Sequence, residues 1–198
     1  KKEYGEEITE KMAADFQKEK PITIRCCMNR VTPEVLKEKL EAEGAKVEAH
    51  PYLPYAFYLS DYDYLEGLES FQEGLFAVQD ISSMFVGELA DLKAGDHVID
   101  VCAAPGGKSL HVAEKLQLAD EVAARENGTE EKTGRVEARD LTEYKTDLIW
   151  QNIDRSGLGN ICAVCKDASV FDEYDKETAD LVIADLPCSG PLKDGIWT

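Results

Sequence analysis

The chain has 198 residues, enough for one ordinary domain or for one with a small satellite, and its 43% hydrophobic and 31% charged residues fit a globular protein. Its 40 acidic against 22 basic side chains give a net charge of −18, the opposite of the basic footprint of an unaided nucleic-acid binder. No apolar run approaches membrane-spanning length and no charged-then-apolar segment opens the chain, so a cytoplasmic monomer without membrane attachment is expected.

Residues 1–20 are charged and helix-compatible, with Ile8, Met12 and Phe16 on one stripe, and the chain reads as beginning mid-protein. Pro21 ends that helix, and Ile22 to Met28 alternates enough for a strand. Thr32 and Pro33 open a helix carrying Val35, Leu36 and Leu40, which Gly44 stops. Lys46–Ala49 and Phe57–Leu59 read as two further strands around a turn at His50-Pro51-Tyr52-Leu53-Pro54. Strand, helix, strand, strand predicts a small α+β module of the RNA-recognition or ferredoxin-like kind over residues 1–75. Its aromatic side chains, among them Tyr52, Tyr55, Phe57, Tyr58, Tyr62 and Tyr64, could stack on bases, although core and rim packing is the commoner use.

A second domain is expected over residues 76–198. A helix with Ile81, Met84, Phe85 and Leu89 on one face precedes a strand at His97–Val101, where His97 is expected to pair locally. Residues 118–133, rich in charge and small residues and with Asn127-Gly128 as a turn signal, read as an inserted mobile loop. A second strand runs from Arg135 to Asp140, and the following helix carries Leu141, Tyr144, Leu148 and Ile153 on one face. A third strand leads to Asp167 and a fourth to Asp185. The six cysteines read as free thiols, and Cys162 and Cys165, despite their C-x-x-C spacing, as core thiols without metal.

The stretch Asp100-Val101-Cys102-Ala103-Ala104-Pro105-Gly106-Gly107-Lys108-Ser109 is strand, tight turn and helix start. Its small residues let a ligand approach the backbone, and the helix start offers unpaired N–H groups, which suits a nucleotide-like and partly anionic molecule. Gly107-Lys108-Ser109 matches the end of a phosphate-binding Walker loop, with Asp185 as a magnesium ligand, but Cys102 stands where that loop needs its first glycine. The dinucleotide pattern G-x-G-x-x-G is absent. Asp140, about 30 residues after the loop at the end of the second strand, is placed to hold ribose hydroxyls, and Asp167 to lie near an adenine. Asp185-Leu186-Pro187-Cys188 follows the next strand. A thiolate there would suit addition to pyrimidine C6, so that C5 can take a methyl group.

Together, the Cys102–Ser109 loop, the run Ser70 to Asp80 and Asp185-Leu186-Pro187-Cys188-Ser189-Gly190 resemble the NOL1/NOP2/Sun family of S-adenosylmethionine-dependent RNA cytosine-5 methyltransferases. The resemblance covers roughly residues 20–190. It implies an α/β fold, a partial Rossmann-like class I methyltransferase sheet after the α+β module, with RNA, ribosomal in particular, as substrate. Cys102, Ala103, Ala104, Pro105, Gly106, Gly107 and Lys108 would enclose the methionine and ribose part of S-adenosylmethionine. Asp140 would bind ribose, Asp167 the adenine side, and Asp185 would face the methyl donor and the cytosine. Cys188 would assist product release, because in that family a second cysteine in a later Thr-Cys-Ser-like segment attacks the base. No such segment occurs here, and Pro191 to Trp197 stands where the family has a glycine and a basic stretch. The chain is therefore expected to bind cofactor without turnover. Two other readings stay open: a nucleoside triphosphatase using Lys108, Ser109 and Asp185, and a non-catalytic RNA-binding module.

Overall fold

The structure is a computed structural model, and it describes residues 5–16, 21–128 and 133–186. Helix α1 (Glu6–Phe16) leads in, with Ile8 and Met12 52% and 46% exposed, so these two positions of the expected stripe are not buried. Next come β1 (Ile22–Cys26), α2 (Pro33–Ala42), β2 (Lys46–Ala49), β3 (Ala56–Ser60), α3 (Glu69–Gln72) and β4 (Phe76–Val78). Thr32 caps α2 by accepting from Val35 N, and Pro33 occupies the first turn. The four strands form one antiparallel sheet in the order β2-β3-β1-β4, with Ile24 opposite Phe57 on one side and Val78 on the other. This is the ferredoxin-like order. Strand β4 lies beyond residue 75, where the sequence reading ends the module, yet it pairs with β1; non-local pairing of this kind leaves no local signal. Ile24, Leu36, Leu40, Leu59, Phe76 and Met84 form the centre of the core. A fully buried side chain of this type contributes about 1.5–3 kcal/mol.

Helix α4 (Ile81–Leu89) leads to the second sheet. There follow β5 (His97–Asp100), α5 (Gly107–Asn127), β6 (Arg135–Asp140), α6 (Glu143–Ser156), β7 (Ile161–Cys165) and β8 (Leu181–Ile183). The strands are all parallel in the order β7-β6-β5-β8, half of a doubly wound sheet. The chain winds outward from β5 to β7 and then returns to the other side of β5. That reversal opens a crevice beyond the carboxyl ends of β5 and β8. The core beneath α5 and α6 contains Val98, Leu110, Leu116, Val136, Ile149 and Ile153.

Several local expectations are corrected. Residues 118–127 are not a loop but the last turns of α5, where Asp120 and Ala124 are buried and Gly128 caps the helix at φ 65°. Asp120 is buried because it accepts from Gly95 N and Gly134 N, both 2.8 Å away. In α4 the buried positions are Met84 and Gly87, while Phe85 and Leu89 are 37% and 81% exposed. In α6 they are Thr146, Ile149 and Ile153, whereas Leu141 and Tyr144 are exposed. Cys162 and Cys165 are exposed rather than core thiols, since β7 is an edge strand of this sheet and an i, i+3 pair on a strand points to opposite faces.

The two sheets are joined by a buried polar bridge. Arg25 of β1 donates from Nη1 to Glu114 of α5 at 2.6 Å, and the two side chains are 2% and 1% exposed. Met28 N reaches the other Glu114 oxygen at 2.9 Å. The Arg30 guanidinium crosses from the first module to Ser156 O, while Arg155 lies 4.5 Å over the Phe71 ring. Backbones meet closely here: a Cβ on Gly74, which sits at φ 67°, would lie 2.3 Å from Arg155 O.

Candidate functional site

The Gly-rich turn is shaped by its neighbours. Asp100, 1% exposed, accepts from Ser109 Oγ at 2.6 Å and from Cys102 N at 3.3 Å, tying the end of β5 to the first turn of α5. Burial raises the Asp100 carboxyl above its ordinary pKa, against the pull of Ser109, Cys102 N and Lys108. The Ala104–Pro105 peptide is cis, and Gly106 has φ 104°, a conformation that suits only glycine, with Ile149 Cγ2 3.4 Å from the Cβ it lacks. Asn152 of α6 holds the turn from outside by donating to Pro105 O at 2.9 Å. A Cβ on Gly107 would meet nothing within 4 Å, so that side is open.

The open side leads into a cavity of about 180 Å³ beyond β5 and β8. Cys102, Ala103, Ala104, Pro105, Gly107, Lys108 and Asp185 line it. Lys108 Nζ meets Asp185 Oδ2 across it at 2.7 Å. Burial, with the Asp140 carboxylate, pushes the Cys102 thiol above its ordinary pKa. Val78, Gln79, Asp80 and Ser83 also line it without having been given a site role from the sequence, as does Asp100, the first residue of the stretch read there as a binding loop. Gln79 and Asp80 lie in the run that carries the family resemblance, which is the signal that could have found them.

Gly106, Asp140 and Asp167 do not line this cavity. Asp140, 2% exposed, lies beneath the turn, where Oδ2 accepts from Ala104 N at 3.0 Å and Oδ1 accepts from Leu141 N at 2.8 Å and pairs with Lys145 at 3.0 Å. Burial works to raise its pKa, but Lys145 and the two N–H groups outweigh it and hold the carboxyl below its ordinary value. Asp167 is exposed and accepts from Ser169 N and Oγ at 2.9 and 2.7 Å. Cys188 lies outside the described residues.

The nucleoside triphosphatase reading loses support. Ser109 is 0% exposed and its hydroxyl is committed to Asp100, so it is not offered to a magnesium ion. Of the aromatic cluster, Tyr55 and Phe57 are core residues, while Tyr52 and Tyr64 are 78% and 62% exposed. His97 Nδ1 lies 2.8 Å from Thr178 O, and His50 Nδ1 accepts from Tyr52 N and Leu53 N, so both serve local structure. Among the described residues no group of three or more His, Cys, Asp or Glu could hold a metal ion, and no helix is long and apolar enough to cross a membrane.

A half-wound parallel sheet with a glycine turn at its switch point and acids after its other strands defines a Rossmann-like methyltransferase domain, here carried behind a ferredoxin-like module. The chain belongs to the 16S rRNA methyltransferase RsmB/F family, whose model matches residues 88–193. The model of the RsmF/B-like ferredoxin-like domain matches residues 1–63. The probable ribosomal RNA small subunit methyltransferase B of Bacillus subtilis (strain 168) is 34% identical over 94% of this chain. The chain spans only 39% of that relative's length. The crystal structure of PH0851 superposes with a TM-score of 0.75 and 26% identity, covering 87% of this chain and 36% of that one. NSun6 from Pyrococcus horikoshii, solved with SFG, shares the fold with a TM-score of 0.74 at 20% identity, over 98% of this chain and 70% of its own.

Proposed function

We propose that this protein serves S-adenosylmethionine-dependent methylation of cytosine C5 in ribosomal RNA. The observation that carries the reading is the cavity at the β5/β8 switch point, which the Cys102–Lys108 turn and Asp185 line within the segment that matches the family. The cavity fits the methionine end of the cofactor. Its wall is made largely of small side chains, Lys108 can meet a carboxylate, and Asp100 and Asp185 suit an ammonium and a sulfonium. Asp140 and Asp167, outside the cavity, are assigned to the ribose and adenine by position, at the ends of neighbouring strands.

When bound, the cofactor supplies an electrophilic methyl group. The chain's own part is to hold that group near Asp185 and to admit a cytosine turned out of its stack. A cysteine thiolate adding to C6 makes C5 nucleophilic. After C5 takes the methyl group, loss of its proton breaks the C–S bond and restores the ring. Cys188 is assigned to this release step, with Asp185 facing the target base. The ferredoxin-like module, ending at β4, is assigned to RNA and the domain from α4 onward to cofactor. We place the activity in the cytoplasm, in a monomer.

Calorimetric titration with S-adenosylmethionine, S-adenosylhomocysteine and magnesium-ATP tests the reading. Both adenosyl compounds should bind, about tenfold or more weakly to Asp140→Ala, on the scale of a lost charge-assisted hydrogen bond. Binding of ATP alone would overturn it.

A further inference from the structure

We propose that Arg30 and Arg155, at the junction of the two modules, bind backbone phosphates of the RNA substrate. The inference rests on the ribosomal RNA reading above and adds to it a contact site apart from the cofactor cavity. Arg30 follows β1 and is exposed, and Arg155 lies half-buried in the last turn of α6. Arg30 donates from Nε to Ser156 O at 2.6 Å and from Nη1 to Glu73 O at 2.7 Å. Arg155 donates from Nη1 to Phe76 O at 3.3 Å and from Nη2 to Asn152 Oδ1 at 3.2 Å. All four acceptors are uncharged. Among the described residues neither arginine has a carboxylate within ion-pair distance, whereas Arg25 and Arg139 are each paired with acids. Glu73, whose backbone oxygen Arg30 takes, turns its carboxylate to Lys39 at 2.8 Å. Burial, with the like charge of Arg30, lowers the Arg155 pKa. Two guanidiniums held together in this way lack a counter-ion, which a bound anion would supply.

The place of the pair points to a phosphodiester strand. Phe76, whose oxygen Arg155 holds, stands two residues before Val78, where β4 reaches the cavity wall, about 7 Å further along an extended strand. Asn152, the other partner of Arg155, donates to Pro105 O of the glycine turn. A strand resting on the pair is thus within a few residues' length of the cavity that is to receive its base. The net charge of −18 repels RNA overall, so a cationic patch without acids is where a strand can settle. Guanidiniums suit that use, because their forked N–H groups match phosphate oxygens. Nη2 of the exposed Arg30 makes no hydrogen bond among the described residues and is open to such an oxygen.

The test follows binding of a single-stranded ribosomal RNA fragment by fluorescence anisotropy over a range of salt. The chain is compared with Arg30→Gln, Arg155→Gln and the two lysine counterparts. Each glutamine substitution should lower the slope of log affinity against log salt by about 0.7, and the affinity at about 50 mM salt by about 8-fold. Lysine cannot reproduce the forked contacts to backbone oxygens but keeps the charge, so Arg30→Lys and Arg155→Lys should keep the slope. A purely structural role would lower the melting temperature of glutamine and lysine variants alike and leave every slope unchanged, and that result overturns the site. Displacement of the RNA by millimolar inorganic phosphate at constant ionic strength would assign the pair to a free anion and overturn the strand. Thermal melting checks folding, and Arg30→Gln, at an exposed position, decides the matter if Arg155→Gln is unfolded. A parent chain that binds no RNA overturns both the site and the assignment of RNA to this chain, while its titration with S-adenosylhomocysteine judges the cofactor reading separately.

Discussion

Asp140 carries a structural load beside the ligand role proposed for it. Its two oxygens already organise the turn through Ala104 N, Leu141 N and Lys145, so the proposed ribose contact would fall to the one acceptor site that remains, on Oδ2. Asp140→Ala is therefore expected to do more than weaken cofactor binding. Leaving those N–H groups unpaired should cost about 1–3 kcal/mol in urea unfolding without ligand. The sign of its pH dependence follows from a carboxyl held below its ordinary value: the stabilisation is present above the unfolded pKa and is lost as pH falls through the folded one. An Asp140→Ala chain that unfolds like its parent would contradict the structural half of this account. The position of Asp140 at a strand end was legible in the sequence, because the alternation of charged and apolar residues from Arg135 to Arg139 stops there. Its burial was not, because the cap comes from a turn more than 30 residues earlier, a contact with no local pattern.

At the scale of elements, α4 and α5 meet where Gly87 gives room for a ring. A Cβ there would lie 2.8 Å from Nδ1 of His111, which is 1% exposed, packs edge-on against Tyr55 and has no hydrogen-bond partner at either ring nitrogen among the described residues. Burial, reinforced by Arg25 and Lys115, lowers its pKa to about 2, so it is neutral in the fold. The unfolded chain binds that proton below about pH 6.5, so the stabilisation is complete above this value and shrinks as pH falls toward the folded pKa. Between pH 7 and 5 this one group should withdraw about 2 kcal/mol. Urea melts at the two pH values would show it, and His111→Leu should remove that share of the difference; an unchanged difference would contradict the neutral buried ring. Element types were largely readable from apolar periodicity and from breakers such as Gly44. Which face is buried was misread for α4 and α6. Periodicity names a stripe, but the neighbouring module decides what covers it, and Phe85 and Tyr144 are left outside. Charge across 118–127 hid the rest of α5, where the buried Asp120 satisfies two backbone N–H groups.

For the whole molecule, the Arg25–Glu114 bridge ties the ferredoxin-like module to α5, and the same guanidinium holds Gln79 through its Oε1. Replacing one partner, as in Arg25→Met, leaves a buried charge uncompensated and should cost about 3–5 kcal/mol. Arg25→Met combined with Glu114→Leu should be clearly less harmful than the single change, read by chemical unfolding. The net charge of −18 gives no sign of this arrangement, and nothing local in the sequence pairs residues 25 and 114. The central claim is that an adenosyl cofactor sits at the β5/β8 switch point against the glycine turn. Amide hydrogen exchange with and without saturating S-adenosylhomocysteine tests it most directly. The account predicts added protection over residues 101–108 and at the ends of β6 and β8. Bound ligand with no added protection there, or with protection confined to the first sheet, would contradict it.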